Sequence, residues 1–213
     1  MTSRPTLLVM AKAPLWGRGK QRLAEGVGKT QALRINRTLH RLTLSAAIDP
    51  RWRTVLAVTP RSASTLNLPG IWPPRAHIER VDQGEGTLGE RIATAVSRAC
   101  APTLVGPICV IGSDAPALCK TDLAMAFRAL RRATAVLGAA EDGGFWLVGA
   151  RDPAGLIAAL PGVAWSTNSA GKDIAARLPT PLATLRTLND IDEVADWRAF
   201  VAQRSAWRGS IGT

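Results

Sequence analysis

The chain contains no tyrosine, two histidines and three cysteines in 213 residues. Each scarcity excludes a class of chemistry. His40 and His77 are too few for an all-histidine zinc site, and they leave little material for a Ser-His-Asp triad. Cys100, Cys109 and Cys119 stand nine and ten residues apart. That spacing makes neither a C-x-x-C pair nor a metal knuckle, so the three are read as reduced, mostly buried thiols. No apolar run approaches the ~18 residues of a membrane-spanning helix. Thr6–Ala11, followed at once by Lys12, is too short for the apolar core of a secretory signal. A cytoplasmic protein away from the membrane is expected, with chemistry left to carboxylates, lysines and arginines.

Positive charge is plentiful. The chain carries 27 basic and 16 acidic residues, a net charge of +11, and only five of the basic residues are lysine. Such an excess attracts polyanions. The plainer alternative is an arginine-rich composition spread over solvated helix faces. No run of five or more Lys/Arg occurs, which counts against a nucleic-acid-binding module. Length and an apolar fraction of 46% favour one globular domain over residues 1–213.

Strand and helix patterns alternate along the chain. Apolar runs predict strands at Thr6–Ala11, Arg53–Thr59, His77–Val81, Pro107–Gly112, Ala133–Ala140 and Phe145–Ala150. Helical spacing predicts helices at Lys29–Ala47, Thr87–Cys100, Thr121–Arg132, Asp152–Leu160, Asn168–Leu178 and Asp192–Gln203. Thr87 and Glu90 fit a capping box, and Thr121 is placed as an N-cap. Ser62–Pro74, rich in Pro, Ser and Asn, reads as a loop. The alternation implies an α/β domain with a mostly parallel sheet, whose ligand crevice lies beyond the carboxyl ends of the strands.

Four segments at such ends carry chemistry. In A-K-A-P-L-W-G-R-G-K-Q-R-L, residues 11–23, Lys12, Arg18, Lys20 and Arg22 stand among Gly17 and Gly19. Glycine permits close backbone approach, and lysine and arginine bind phosphate. A basic surface turn is the bland alternative. The nearby G-V-G-K-T, residues 26–30, is no Walker loop, because Leu23 stands where the first glycine belongs and no strand precedes it. In V-I-G-S-D-A-P-A-L, residues 110–118, Asp114 tips an apolar strand. It is either a magnesium ligand or a cap of the turn. In E-D-G-G, Glu141 and Asp142 precede two glycines and a strand, a pattern that also suits a hairpin turn. In N-D-I-D-E, Asp190 and Asp192 straddle a helix start, where Asp192 also reads as an ordinary N-cap.

Taken in order, these segments resemble the small bacterial GT-A-type glycosyltransferases associated with arsenosugar biosynthesis. That family lies within the nucleotide-diphospho-sugar transferase superfamily, with relatives among the molybdenum-cofactor and phospholactate guanylyltransferases. The resemblance spans Leu7 to Trp197 and rests on K-A-P-x-x-G-x-x-K-x-R-L, Q-G-x-G-x-L-G-E-R (Gln83–Arg91), G-S-D-x-P, E-D-G-G, W-S-T (Trp165–Thr167) and the late D-x-D. It departs at Gln21, where threonine is usual, at Phe145, where tyrosine is usual, and at Glu193, where a small hydroxyl residue is usual.

The resemblance implies a Rossmann-like three-layer α/β/α sandwich of GT-A type. It implies a metal-dependent glycosyltransferase with a nucleotide-diphospho-sugar donor, and alternatively a nucleotidyltransferase that uses a nucleoside triphosphate and releases pyrophosphate. Lys12, Gly17, Arg18, Lys20 and Arg22 would hold the phosphates, and Gln83, Gly84 and Gly86 would lie near the nucleotide. Asp114, with Asp190 or Asp192, would bind Mg2+ or Mn2+, and Asp142 would face the transferred group or a small-molecule acceptor. Monomer or homodimer is left open.

Overall fold

The computed structural model describes residues 4–211, with side chains described through residue 204; the ends of the expected 1–213 domain, 1–3 and 212–213, lie outside the described residues. Seven strands form one sheet: β1 (Thr6–Lys12), β2 (Arg53–Thr59), β3 (Glu79–Asp82), β4 (Ile108–Ile111), β5 (Ala135–Ala140), β6 (Phe145–Ala150) and β7 (Leu182–Leu188). Their spatial order is β3-β2-β1-β4-β6-β5-β7. Every neighbouring pair is parallel except those made by β6, which runs antiparallel to both β4 and β5. The sheet is thus mostly parallel, as the strand–helix alternation implied.

Helices cover both faces. On one side α1 (Gln21–Ala47) and α3 (Lys120–Ala129) pack against Leu7, Val9, Leu56 and Ile111. On the other, α2 (Leu88–Cys100), α4 (Pro153–Ala159) and α5 (Ala170–Arg177) pack against Leu8, Val55, Ala57 and Val110. Alternate residues of one strand therefore serve opposite cores, which is why the central strands read as continuous apolar runs. All four residues of β4 are buried. The last helix, α6 (Val194–Ile211), contacts α1 through a separate cluster that includes Leu23, Ile35 and Ile191.

Several boundaries differ from the sequence reading. Helix α1 is broken at Gly28 (φ 77°, ψ 156°): its second part is the expected helix Lys29–Ala47, and a first part over residues 21–27 was not expected. Gly28 adopts this positive φ without a Cβ penalty, and the G-V-G-K-T segment holds the break between the two parts. Helix α3 starts after Cys119, so Thr121 is not the N-cap. Asp122 instead accepts from the Cys119 N–H at 2.9 Å. Strand β7 fell in a stretch with no predicted element. The Thr87–Glu90 capping box is present: Thr87 N–H donates to Glu90 Oε2 at 2.7 Å, and Glu90 N–H to Thr87 Oγ1 at 3.3 Å. Two of the three cysteines, Cys100 and Cys109, are buried, and Cys119 is exposed.

The order of strands fixes where a ligand can sit. From β1 the chain moves outward through β2 to β3, then returns to place β4 on the other side of β1. The crevice opens where the winding reverses, beyond the carboxyl ends of β1 and β4. Lys12 ends β1, and Asp114 follows β4 by three residues.

Close packing at the middle of the sheet is testable at Gly149 of β6. A Cβ there would lie 2.7 Å from the Ile108 carbonyl oxygen and 2.8 Å from Cys109 Sγ. Gly149→Ala is expected to destabilise the fold by about 1–3 kcal/mol. For a chain of this size that lowers Tm by roughly 2–4 °C per kcal/mol, measurable by calorimetry. An unchanged Tm would contradict the packing.

Candidate active site

The crevice is a cavity of about 640 Å³. Its acidic end gathers Asp114, Asp190 and Asp192, each offering a carboxylate oxygen within 4.8 Å of the others. The route by which they meet is legible in the backbone. Ile191 N–H donates to the Asp114 carbonyl at 3.1 Å, and the Ile191 side chain is buried against α1. A D-x-D spacing outside a helix sends the two flanking carboxylates the same way while the central residue anchors the segment.

Lys20 sits between two of them. Its Nζ donates to Asp114 Oδ2 at 2.9 Å and to Asp192 Oδ1 at 2.8 Å. The loop that delivers it winds through left-handed backbone at Gly17 (φ 68°), Gly19 (φ 72°) and Lys20 itself (φ 51°). Glycine at the first two positions removes the Cβ penalty of that conformation. Burial works against the charge on Lys20, but Asp114 and Asp192 outweigh it and raise its pKa above the ordinary value. Asp190 shows the counterpart. Burial first, then the charges of Asp114 and Asp192, push its carboxyl up to about 6.

The plain alternatives for two aspartates are set aside by these contacts. Asp192 is not a helix N-cap: its carboxylate meets Lys20, while Asp196 accepts from the Asp192 and Glu193 N–H groups at 3.0 and 2.7 Å. The hydrogen bond recorded for the Asp114 carboxylate comes from Lys20, not from a turn N–H. Three carboxylates against one ammonium leave a deficit of positive charge, and their hard oxygen donors fit Mg2+ or Mn2+.

Other residues singled out from the sequence are distributed unequally. Lys12, Arg22, Gln83 and Asp142 line the same cavity. Gly17 and Arg18 line a neighbouring groove of about 410 Å³ against α1. Gly84 and Gly86 (φ 76° and 96°) form the turn into α2 and are not on the cavity wall. Gln83 is buried, and its Nε2 donates to the Ala57 and Ala11 carbonyls at 2.7 and 3.3 Å, tying the ends of β2 and β1 together. Its Oε1 has no partner among the described residues. The E-D-G-G segment is the β5–β6 hairpin turn and also the cavity rim. Asp142 Oδ1 accepts from Gly144 N–H at 2.8 Å, and Asn189 Nδ2 donates to Glu141 Oε2 at 2.8 Å.

The structure adds residues the sequence reading left without a role. Arg91, Trp165 and Phe145 line the cavity; the first closes the Q-G-x-G-x-L-G-E-R motif and the second opens W-S-T. Behind the Asp114 loop stands buried His40. Trp72 Nε1–H donates to His40 Nδ1 at 3.1 Å, which leaves Nε2–H facing Ser113 Oγ at 3.4 Å. Burial dominates and lowers the His40 pKa to about 4, with Asp114 opposing and Lys20 assisting.

Residues 42–167 match the family described as "Uncharacterized protein conserved in bacteria (DUF2064)". No curated protein matches the chain. Among solved structures, one from Desulfovibrio desulfuricans G20, named provisionally as a nucleotide-diphospho-sugar transferase, is 24% identical with a TM-score of 0.80, covering 93% of this chain and 87% of that one. Rv0371c of Mycobacterium tuberculosis H37Rv, in complex with manganese, is 15% identical with a TM-score of 0.54, covering 92% and 97%. The 4-diphosphocytidyl-2C-methyl-D-erythritol synthase of Anaerococcus prevotii is 12% identical with a TM-score of 0.54, covering 90% and 94%. At these identities the likeness is one of fold: the α/β architecture of nucleotide-diphospho-sugar transferases.

The neutral, buried His40 predicts a pH dependence. Its folded pKa, about 4, lies below the ordinary 6.5. Above pH 6.5 the ring is neutral in both states and the contribution is fully present. As pH falls from 6.5 towards 4 the unfolded chain takes the proton and the folded chain does not, so stability declines. The ceiling is of the order of 3 kcal/mol at one pKa unit per 1.36 kcal/mol. Denaturant titrations at pH 7 and 4.5 are expected to show a smaller loss in His40→Gln than in the parent. Parallel losses in both would exclude His40 as the source.

Proposed function

The chain belongs to the DUF2064 family of bacterial proteins, and from that premise we propose that it is a metal-dependent transferase acting on a nucleotide-diphospho-sugar. The observation that carries this reading is the Asp114–Asp190–Asp192 cluster in one cavity with Lys12 and Arg22. Carboxylates that bind a divalent cation, opposite cations that bind phosphate, are what a diphosphate leaving group requires. The resemblance of the motifs favours a sugar donor and a small-molecule acceptor, as in the arsenosugar-associated glycosyltransferases. The cation, when bound, would neutralise charge developing on the departing diphosphate.

The residues take the following parts in this reading. Asp114, Asp190 and Asp192 hold the metal. Lys20, which pairs with two of those carboxylates, would be free to join Lys12 and Arg22 on the phosphates with a cation in its place. Gln83 Oε1, buried and unpartnered, accepts an N–H or O–H of the nucleoside. Asp142 keeps one oxygen on Gly144 N–H and has Oδ2 free of hydrogen bonds among the described residues. That oxygen accepts the acceptor's proton if transfer inverts configuration.

A second reading is nucleotidyl transfer, favoured by the shared fold with the Anaerococcus diphosphocytidyl synthase. There the same cations would hold a triphosphate. Product analysis separates the two: nucleoside diphosphate from a sugar nucleotide supports the first reading, and pyrophosphate from CTP or GTP supports the second.

Two variants test the metal assignment. Asp114→Ala and Asp190→Ala are each expected to weaken Mn2+ binding by calorimetry at least about 100-fold, more than the loss of an outer-shell partner. Unchanged Mn2+ affinity in both would overturn it. Lys20→Met tests the ammonium as a stand-in for the cation. The metal-free variant is expected to melt at lower temperature than the parent and to gain more Tm from Mn2+. Equal gains in both would show that Lys20 and the cation do not compete.

A further inference from the structure

The same cavity also has an aromatic part of its wall. Trp165 and Phe145 meet there edge to face, with ring centroids 6.2 Å apart and planes at 67°. Trp165 owes its position to Gly89 in the first turn of α2, where a Cβ would stand 2.5 Å from the indole Nε1. Ser166 beside it holds a φ of 63°. That left-handed conformation is uncommon for a residue other than glycine and tends to occur at functional sites.

Arg91 lies two residues beyond Gly89 on the same helix and faces the same cavity. Its guanidinium is half-buried, and its Nε has no hydrogen-bond partner among the described residues. The adjacent acid turns the other way: Glu90 Oε2 accepts from the Thr87 N–H and hydroxyl at 2.7 and 2.9 Å, and no ion pair joins it to Arg91 among the described residues. Burial alone pushes the Arg91 pKa below its ordinary value, with no carboxylate acting against it. Arginine is the side chain best suited to carboxylate or phosphate in two-pronged contact. A cation held without a counter-charge in a part-apolar cavity gains most from a ligand that brings the anion.

We propose that Arg91, Trp165 and Phe145 form a subsite for a carboxylate or phosphoryl group carried on an aromatic or flat apolar body, the anion on the guanidinium and the body against the two rings. Placing this group on the second substrate rests on the reading of the acidic end as the donor side. Binding at the subsite itself needs neither metal nor nucleotide. The same chemistry could arrive on the sugar of the donor, as a uronate, or on the acceptor.

Phenyl phosphate, benzoate, inorganic phosphate and benzyl alcohol, each titrated with EDTA present and followed by tryptophan fluorescence and calorimetry, test the proposal. Phenyl phosphate or benzoate is expected to bind saturably and at least tenfold tighter than phosphate or benzyl alcohol. Arg91→Met is expected to weaken that binding at least tenfold, and Arg91→Lys by less, because it keeps the charge and loses the fork. Should the methionine variant fail to fold, the lysine variant and the neutral probe still decide. Equal affinity for benzyl alcohol and phenyl phosphate, or affinity unchanged in both variants, would overturn the subsite. Since no metal is present, failure here leaves Mn2+ and nucleotide binding untouched, and failure there leaves this result standing. UDP-glucuronate against UDP-glucose, with Mn2+, then locates the source. An Arg91-dependent preference for the uronate puts the anion on the donor; no preference puts it on the acceptor.

Discussion

Three carboxylates within 4.8 Å of one another repel, and the ammonium of Lys20 holds two of them in place. At an effective dielectric constant of 20, two unit charges ~4 Å apart interact by about 4 kcal/mol. The arrangement therefore survives only because several elements converge to enforce it. The left-handed G-R-G-K turn brings Lys20 in from the start of α1. The end of β4 brings Asp114. Ile191, bonded to the Asp114 carbonyl and buried on α1, brings Asp190 and Asp192. One ammonium balances part of three negative charges, and the remainder is the charge that a divalent cation would neutralise in the proposed site.

The other wall of the cavity is joined by glycines rather than charges. Gly89 makes room for Trp165. Gly143 in the hairpin passes so near the Asn168 carbonyl that a side chain could not be fitted. Gly171 donates its N–H to the Gly143 carbonyl at 2.9 Å, and a Cβ on Gly171 would meet the Gly144 carbonyl at 2.6 Å. The glycines of L-G-E-R and E-D-G-G thus hold their segments against W-S-T and the residues after it. Motifs separated by tens of residues in the chain make one surface, and the spacing within each motif reflects packing as much as ligand contact.

This division explains what the sequence disclosed. Strand positions in the centre were legible because burial on both faces leaves continuous apolar runs, and β6 matches its expected bounds, Phe145–Ala150. Strand β7 was not, because it lies at the sheet edge beside a register shift in β5 between Gly138 and Ala140. Its leucines, Leu182, Leu185 and Leu188, recur every third residue and match neither the strand nor the helix period. At the cavity, Asp114 and Lys12 were legible from charge at strand ends, and Arg22 from the basic segment that follows the first strand. The bond between Lys20 and the aspartates was not, because it links residues 94 and 172 positions apart. Arg91 escaped notice for a related reason: an arginine at the start of a helix looks solvated until the cavity wall is built around it.

The arginine-rich, tyrosine-free composition has a structural cause. Many of the arginines fasten loops by their several donors. Arg80 donates to the Leu66 and Pro73 carbonyls, Arg151 to those of Leu130 and Ala133, and Arg186 ties β7 to α3 through Asp122. Buried tryptophans supply the polar tip that tyrosine would otherwise bring: Trp52 Nε1–H reaches the Ala47 carbonyl, Trp146 that of Arg186, and Trp72 reaches His40. Indole only donates, so in a chain without tyrosine these aromatic contacts fall on carbonyl oxygens and on an imidazole nitrogen. A net charge of +11 is in this light partly structural. The cations free to meet a ligand are those, such as Lys12, Arg22 and Arg91, that the fold turns inward to the cavity.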